Sequence, residues 1–167
     1  KQEIIKSMIN NKLGLTQTKI FARKCIIKEV TDNNIIRDFL NNNHIQGYVG
    51  STIKIGLYYN NELISIMLFK SENNNYELVR FCNKINTSVI GGASKLFKYF
   101  IKTYNFKTIT TFSDRCYSSG DLYYKLGFEK LYRTDINYYY IIDGIRIHKS
   151  NFKKSKLIKE GFDINKS

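Results

Sequence analysis

The chain has no proline and no tryptophan, only three cysteines, and few arginines: Arg23, Arg37, Arg80, Arg115, Arg133 and Arg146 stand among 27 basic residues. Three cysteines cannot all pair, and Cys25, Cys82 and Cys116 lack C-x-x-C spacing. A disulfide framework is therefore excluded, and an intracellular, reducing setting is expected. No apolar run reaches the ~18 residues that a membrane helix needs. Collagen-like and disulfide-stapled scaffolds are excluded with it. Carboxylates are scarce too: 14 Asp and Glu face 27 Lys and Arg, a formal charge of +13.

Lys, Asn, Ile, Tyr and Phe are plentiful, and these are the residues of A/T-rich codons. Codon bias accounts for lysine over arginine better than for the excess of base over acid. Such an excess concentrates polyanions and speeds their capture. DNA is thus the expected partner, against the plainer reading of a solvated, lysine-rich surface. Hydrophobic residues at 43% and aromatics at 14% of 167 residues suffice for a packed domain.

Periodicity predicts a helix over 2–12, with Gly14 as its stop, and a strand over 20–30. Thr31 or Asp32 can cap a second helix whose stripe is Ile35, Ile36, Phe39 and Leu40. Two apolar runs, 53–59 and 63–70, are joined by Asn60-Asn61-Glu62 and read as a hairpin. A loop at 71–75 and a strand at 76–83 follow. From Gly92 the period turns helical, with Leu96, Phe97, Phe100 and Ile101 opposite Lys95, Lys98 and Lys102. A strand at 106–112, a short helix from Ser118 to Gly127 and a hairpin across Asp143-Gly144 come next. The lysine-rich tail reads as a loop or a last, frayed strand. The order of elements gives an α/β (α+β) class with a mixed sheet, and periodicity gives no more than that.

The stretch Val89-Ile90-Gly91-Gly92-Ala93-Ser94 joins a strand to a helix. Small residues there allow close approach of a ligand, and free N–H groups at the helix start hold phosphate oxygens. Tight packing of the helix on the sheet would need the same residues. Together with Leu122-Tyr123-Tyr124-Lys125-Leu126-Gly127-Phe128, this loop resembles the GNAT acyltransferase superfamily over about residues 26–148. That family binds the pyrophosphate of acyl-CoA on a Q/R-x-x-G-x-G/A loop. Gly91 and Ala93 match the small positions, and Ser88 stands where the family has Gln or Arg. The resemblance implies a GNAT-like fold, a mixed, mostly antiparallel central sheet flanked by helices. It also implies acetyl-CoA or another acyl-CoA as cofactor and Tyr123 as the acid that protonates the leaving thiolate. A tyrosine ring simply packed in the core is the bland alternative.

Two narrower resemblances carry the expected context. Ser113-Asp114-Arg115, Gly120-Asp121-Leu122-Tyr123, Asp143-Gly144 and His148 look like the Mom-type DNA-modifying enzymes of phages. The stretch from Phe39 to Tyr48, with Leu78 to Lys84, resembles a module at the C-terminal end of Hef-like phage homing endonucleases. There it follows a Vsr-like nuclease domain. Residues 1–18 are then expected to be a helical segment ending an upstream nuclease-like domain, 19–150 the GNAT-like domain, and 151–167 a basic tail. The first expectation is a DNA-binding module placing a nuclease on DNA, in the cytoplasm of an infected host cell. The alternative is an acyl-CoA-dependent N-acyltransferase acting on a nucleic-acid base or another amine.

Other residues enter as candidates. Asp114 and His44 can serve as bases, or can bond turn N–H groups locally. Arg80, mid-strand, must pair with a carboxylate, Asp114 for choice, or face a ligand. Cys82 alternates with Arg80 and reads as an inert, buried thiol. Arg115 can grip a phosphate or a base. Arg146, His148, Lys149, Lys153, Lys154, Lys156 and Lys159, interleaved with Phe152, form the densest basic run and the expected phosphate-tracking surface. Cys25, His44, Cys82 and Cys116 lack zinc-finger spacing, so no metal is expected.

Overall fold

The computed structural model describes residues 1–135 and 138–162. The chain opens with α1 (Gln2–Lys12) and β1 (Thr18–Phe21), then a 3-10 turn at Ala22–Lys24 and β2 (Ile26–Glu29). Helix α2 (Asn33–Asn43) leads to three successive strands, β3 (Ile53–Tyr59), β4 (Glu62–Glu72) and β5 (Asn75–Asn83). Next come β6 (Thr87–Ile90), α3 (Gly92–Thr103), β7 (Thr108–Thr111) and α4 (Asp121–Lys125). A hairpin of β8 (Tyr139–Ile142) and β9 (Ile145–His148), a 3-10 turn at Lys149–Phe152 and α5 (Lys154–Lys159) follow. The chain divides into two compact units, Lys1–Glu129 and Lys130–Ser167. Among the described residues, no helix is long and apolar enough to cross a membrane.

In the first unit the main sheet has the order β2-β3-β4-β5-β7. Its pairs are antiparallel except for β5 with β7. The sheet is mixed, as the order of elements predicts, and it is mostly antiparallel with helices on its faces, as the resemblance implies. Strand β4 is buried from Leu63 to Phe69, the near-continuous apolar run of a strand covered on both sides. Ile64, Met67 and Phe69 pack with Leu96, Phe97 and Phe100 of α3. Leu63, Ile66 and Leu68 pack with Ile36 and Leu40 of α2.

Local chemistry explains the element ends. Asn60-Asn61 and Asn73-Asn74 take φ of 48°, 63°, 50° and 61°, the left-handed region that Asn tolerates and a two-residue hairpin turn requires. The expected loop at 71–75 thus shrinks to Asn73-Asn74, and Glu72 pairs with Asn75. Polar Ser71 and Glu72 extend the strand past the core, where no apolar side chain is needed. The Asp32 carboxylate caps α2, accepting from the Asn34 N–H at 2.7 Å. Ile35 and Ile101 lie outside the buried stripes, at 47% and 43% exposure, because each stripe is one residue narrower than predicted.

Two predictions about strands are corrected. The single strand over 20–30 is two strands in different sheets, broken where Ala22 and Cys25 bury themselves and the Cys25 N–H bonds the Ala22 carbonyl. Residues 87–90, expected as loop, form β6, which pairs in parallel with β1. That pairing joins segments about seventy residues apart and leaves no local signal. Helix α1 belongs to the same unit: Ile4 is buried, and the Ser7 hydroxyl accepts from the Asn86 N–H at 2.7 Å.

In the second unit β8 and β9 pair across Asp143-Gly144, with φ of 50° and 75°. The described part of the tail, expected as a loop or a last strand, is instead a 3-10 turn followed by α5. Gly161, at φ 91°, closes α5, and the Phe162 N–H reaches back to the Leu157 carbonyl.

Candidate functional site

Strands β5 and β7 run side by side for four residues, from Asn75 opposite Thr108 to Leu78 opposite Thr111. Then they part. At that point Val79 is an extra residue on β5, since Leu78 pairs with Phe69 and Arg80 with Leu68. A bulge of this kind bends and twists its strand. Beyond it no strand among the described residues pairs with Val79–Asn83 on the β7 side. The result is a wedge with one open backbone edge, set between β5 and the segment that leaves β7.

Helix α4 stands beside this wedge. Gly127, at φ 93°, ends it: the Phe128 N–H bonds the Tyr123 carbonyl and the Gly127 N–H bonds that of Tyr124. This is a Schellman cap, and its apolar contact is the Phe128 ring edge-on to Tyr123, centroids 5.9 Å apart. The glycine and phenylalanine of the sequence motif therefore fix the position of its tyrosine. Tyr123 is half-buried, packed on the core formed with α3. At the other end of α4, Gly120 abuts Ser113, whose buried hydroxyl has no partner.

Asp114 and Arg80 do not form the expected ion pair, because the loop after α2 lies between them. Asp114 accepts from its own turn, the Cys116 N–H at 3.0 Å, and from the Gln46 amide at 3.2 Å. Arg80 donates to the Val79 carbonyl at 2.8 Å and to that of Gly47 at 3.5 Å. Burial draws the Arg80 pKa down, against the opposing pull of Tyr123 and Glu77. Gln46 and Gly47 were missed by sequence reasoning, and only the oddity of a mid-strand arginine hinted that something must accept from it.

His44 is bonded locally: its Nδ1 accepts from the Gln46 N–H at 3.1 Å. Burial, with Arg80 and Lys1 nearby, lowers its pKa to about 4. An unfolded histidine titrates near 6.5. Between those values the unfolded chain takes up a proton that the folded one refuses, so this group weakens the fold as pH falls from about 6.5 to 4 and is neutral above. Urea unfolding is expected to show lower stability at pH 5 than at pH 7, with His44→Gln removing part of the difference. An identical pH dependence in the variant would contradict this assignment.

The turn into α3 carries the remaining candidates. Val89 is buried and Ile90 exposed, at the end of β6. Gly91 has φ 77° and no side chain caps the helix after it. Gly92 and Ala93 are buried; a Cβ on Gly92 would come within 2.9 Å of Val89 Cγ1, so close packing alone requires this glycine. Gly91 and Ser94 face a groove of about 580 Å³. The turn is therefore open, and the first N–H groups of α3 are free of any side-chain cap. Lys95 is not solvated as predicted: its ammonium donates to the carbonyls of Ala22 at 2.8 Å and Cys25 at 2.6 Å.

Neither a family model nor a curated protein sequence matches the chain. Its likeness lies in the arrangement of the backbone. A GNAT-family acetyltransferase from Streptococcus pneumoniae superposes with a TM-score of 0.52 at 10% identity, over 63% of this chain and 87% of that one. The fold is the GNAT fold. A Deinococcus radiodurans protein assigned as an acetyltransferase gives 0.53 at 9% identity, over 72% and 92%. A transcriptional regulator from Bacillus halodurans gives 0.53 at 12%, over 66% and 96%. Identities this low speak for the fold alone. Nothing in them connects the chain to Hef-like endonucleases or Mom-type enzymes.

The residues expected to track nucleic acid fall in both units. Arg115 is exposed in the turn after Asp114. In the second unit His148 Nδ1 accepts from the Ser150 N–H, and the Lys149 ammonium lies 4.9 Å from the Tyr138 ring centre. Lys153 precedes α5, which carries Lys154 and Lys156, the latter bonded to Asn151. Arg146 lies on β9; its side chain is outside the described residues. Cys25 and Cys82 belong to different cores, one shared with α3 and one with α2. Burial pushes the Cys82 thiol up to about 12, which leaves it inert at neutral pH.

Proposed function

We propose that the first unit transfers an acyl group from an acyl-CoA thioester to an amine. The observation that carries this reading is the parting of β5 from β7 beside Tyr123, within a GNAT fold whose α3 starts on an open glycine turn. The residues present fit such a cofactor. The N–H groups of Gly92, Ala93 and Ser94 can hold its diphosphate at the positive end of the helix. With Ser88 where the resembling family has Gln or Arg, those backbone donors do more of the holding. Along Val79–Asn83, the backbone N–H and C=O groups not already bonded to β4 or to the Arg80, Ser65 and Cys82 side chains can meet an extended amide chain.

When bound, acyl-CoA supplies a thioester carbonyl for the amine and a thiolate as leaving group. Tyr123 Oη donates its proton to the departing sulfur. The Asp114 carboxylate, held by its turn and by Gln46, orients the amine and takes up its proton. Arg80, tied to the carbonyls of Val79 and Gly47, keeps the loop after α2 against the wedge. The test is release of free thiol from acetyl-CoA in the presence of a panel of amines: a polyamine, a lysine peptide, adenosine and cytidine. Amine-dependent release by the chain is expected with at least one class. Release no faster than in buffer for every amine would count against the reading.

A further inference from the structure

The groove of about 580 Å³ onto which Gly91 and Ser94 open runs between α3 on one side and β1, the first 3-10 turn and β2 on the other, and no residue of the wedge lines it. Its charge is one-sided. Arg23, Lys95, Lys98 and Lys102 line it, and no carboxylate does. The Lys95 ammonium is committed to two carbonyls. The other three cations have no ion-pair partner among the described residues. Lys98 and Lys102 sit one helical turn apart, about 6 Å along the axis, a separation close to that of neighbouring phosphates on an extended strand. Two aromatic rings share the walls. Phe21 is 43% exposed, with the Arg23 guanidinium 5.0 Å from its ring centre, and Tyr99 lies between Lys98 and Lys102 on the lining.

Three uncompensated cations beside an exposed ring serve two needs at once: neutralising a phosphate backbone and stacking a base. An acidic peptide would use the charge and leave the rings idle. A duplex has no splayed base to lay against Phe21. We infer that this groove binds a short stretch of single-stranded polynucleotide, phosphates on Arg23, Lys98 and Lys102 and a base against Phe21. This does not rest on acyl transfer: none of these side chains belongs to the wedge, and of the proposed diphosphate turn only Gly91 and Ser94 touch the groove, at its end.

The experiment is fluorescence anisotropy of the full chain with a labelled twelve-residue oligothymidylate between 50 and 200 mM NaCl. Loss of three phosphate contacts should make the log–log salt slope of Arg23→Gln/Lys98→Gln/Lys102→Gln shallower by about 2. Phe21→Ala should weaken binding about 5-fold or more with the slope unchanged. Neutralising Lys153, Lys154 and Lys156 instead should leave the Phe21 effect intact. An unchanged slope in the groove variant, or Phe21→Ala binding like wild type, overturns the proposal. So does equal competition by a duplex of the same length or by polyglutamate, which would mark general attraction to anions. Because Gly91 and Ser94 let CoA at the turn crowd the end of the groove, the deciding readout is the groove variant's own affinity for CoA. A loss equal to its loss for the oligonucleotide would assign Arg23, Lys98 and Lys102 to a cofactor's nucleotide end and overturn the proposal as well. Failure here with amine-dependent thiol release intact removes the groove and leaves the function standing.

Discussion

Tyr123→Phe is expected to slow amine-dependent thiol release from acetyl-CoA by about 100-fold or more while leaving the protein folded. The size follows from the range of 10²–10⁴ for a positioned acid or base. The selectivity follows from geometry. The ring is held by the core and by Phe128, centroids 5.9 Å apart, and a phenylalanine keeps both contacts. Only the hydroxyl is removed. Thiol release measured with saturating acetyl-CoA should therefore fall in kcat, with little change in the KM for the thioester. A variant that turns over within a few-fold of wild type would remove Tyr123 from the chemistry and return it to the core residues.

The largest effect on stability is expected at Phe100. Its side chain is fully buried, stacked on Phe69 with ring centres 3.7 Å apart and edge-on to Tyr76 at 5.1 Å. Tyr104 and Phe106 close the cluster at 5.2 and 6.3 Å. Phe100 is the point at which α3 is fastened to the middle of the sheet. Truncation to alanine removes the ring's transfer free energy and leaves a cavity between helix and sheet, about 3–5 kcal/mol in comparable cores. For a chain of this length that is roughly 10 °C or more in Tm. Because α3 also presents the Gly91–Ser94 turn, acetyl-CoA binding should weaken with it. A loss below about 1 kcal/mol in urea unfolding would show that the neighbouring rings close the gap.

How legible this architecture was depends on how local each cause is. The Asp32 cap, the Gly14 stop and the stripe of Leu96, Phe97 and Phe100 act within a turn or two, and each is where the pattern places it. The Asn-Asn turns are visible, but polar Ser71 and Glu72 make the second read as a longer loop. Strand β6 was not legible at all. Thr87–Ile90 is a strand only because Thr18–Phe21 lies beside it, and nothing in four residues announces a partner so far away. The same holds for the site. Tyr123 was marked by a motif whose glycine and phenylalanine turn out to be its helix cap. The bulge at Val79, which opens the wedge, has no signature in Leu78-Val79-Arg80; it follows from register against β4. Lys95 shows the converse, a residue of the solvent face by period whose ammonium is claimed by two carbonyls.

Calorimetric titration of acetyl-CoA into the protein addresses the main claim most directly, since the function requires the α3 turn and the wedge to accept that molecule. Saturable one-site binding is expected, accompanied by a rise in Tm that grows with ligand concentration by mass action, about 2.7 kcal/mol of stabilisation at a hundred times the Kd. Gly91→Glu, which sets a carboxylate and a strained backbone at the open turn, should abolish the heat of binding. No heat and no shift in Tm at millimolar acetyl-CoA, in a protein that unfolds cooperatively, would contradict the account.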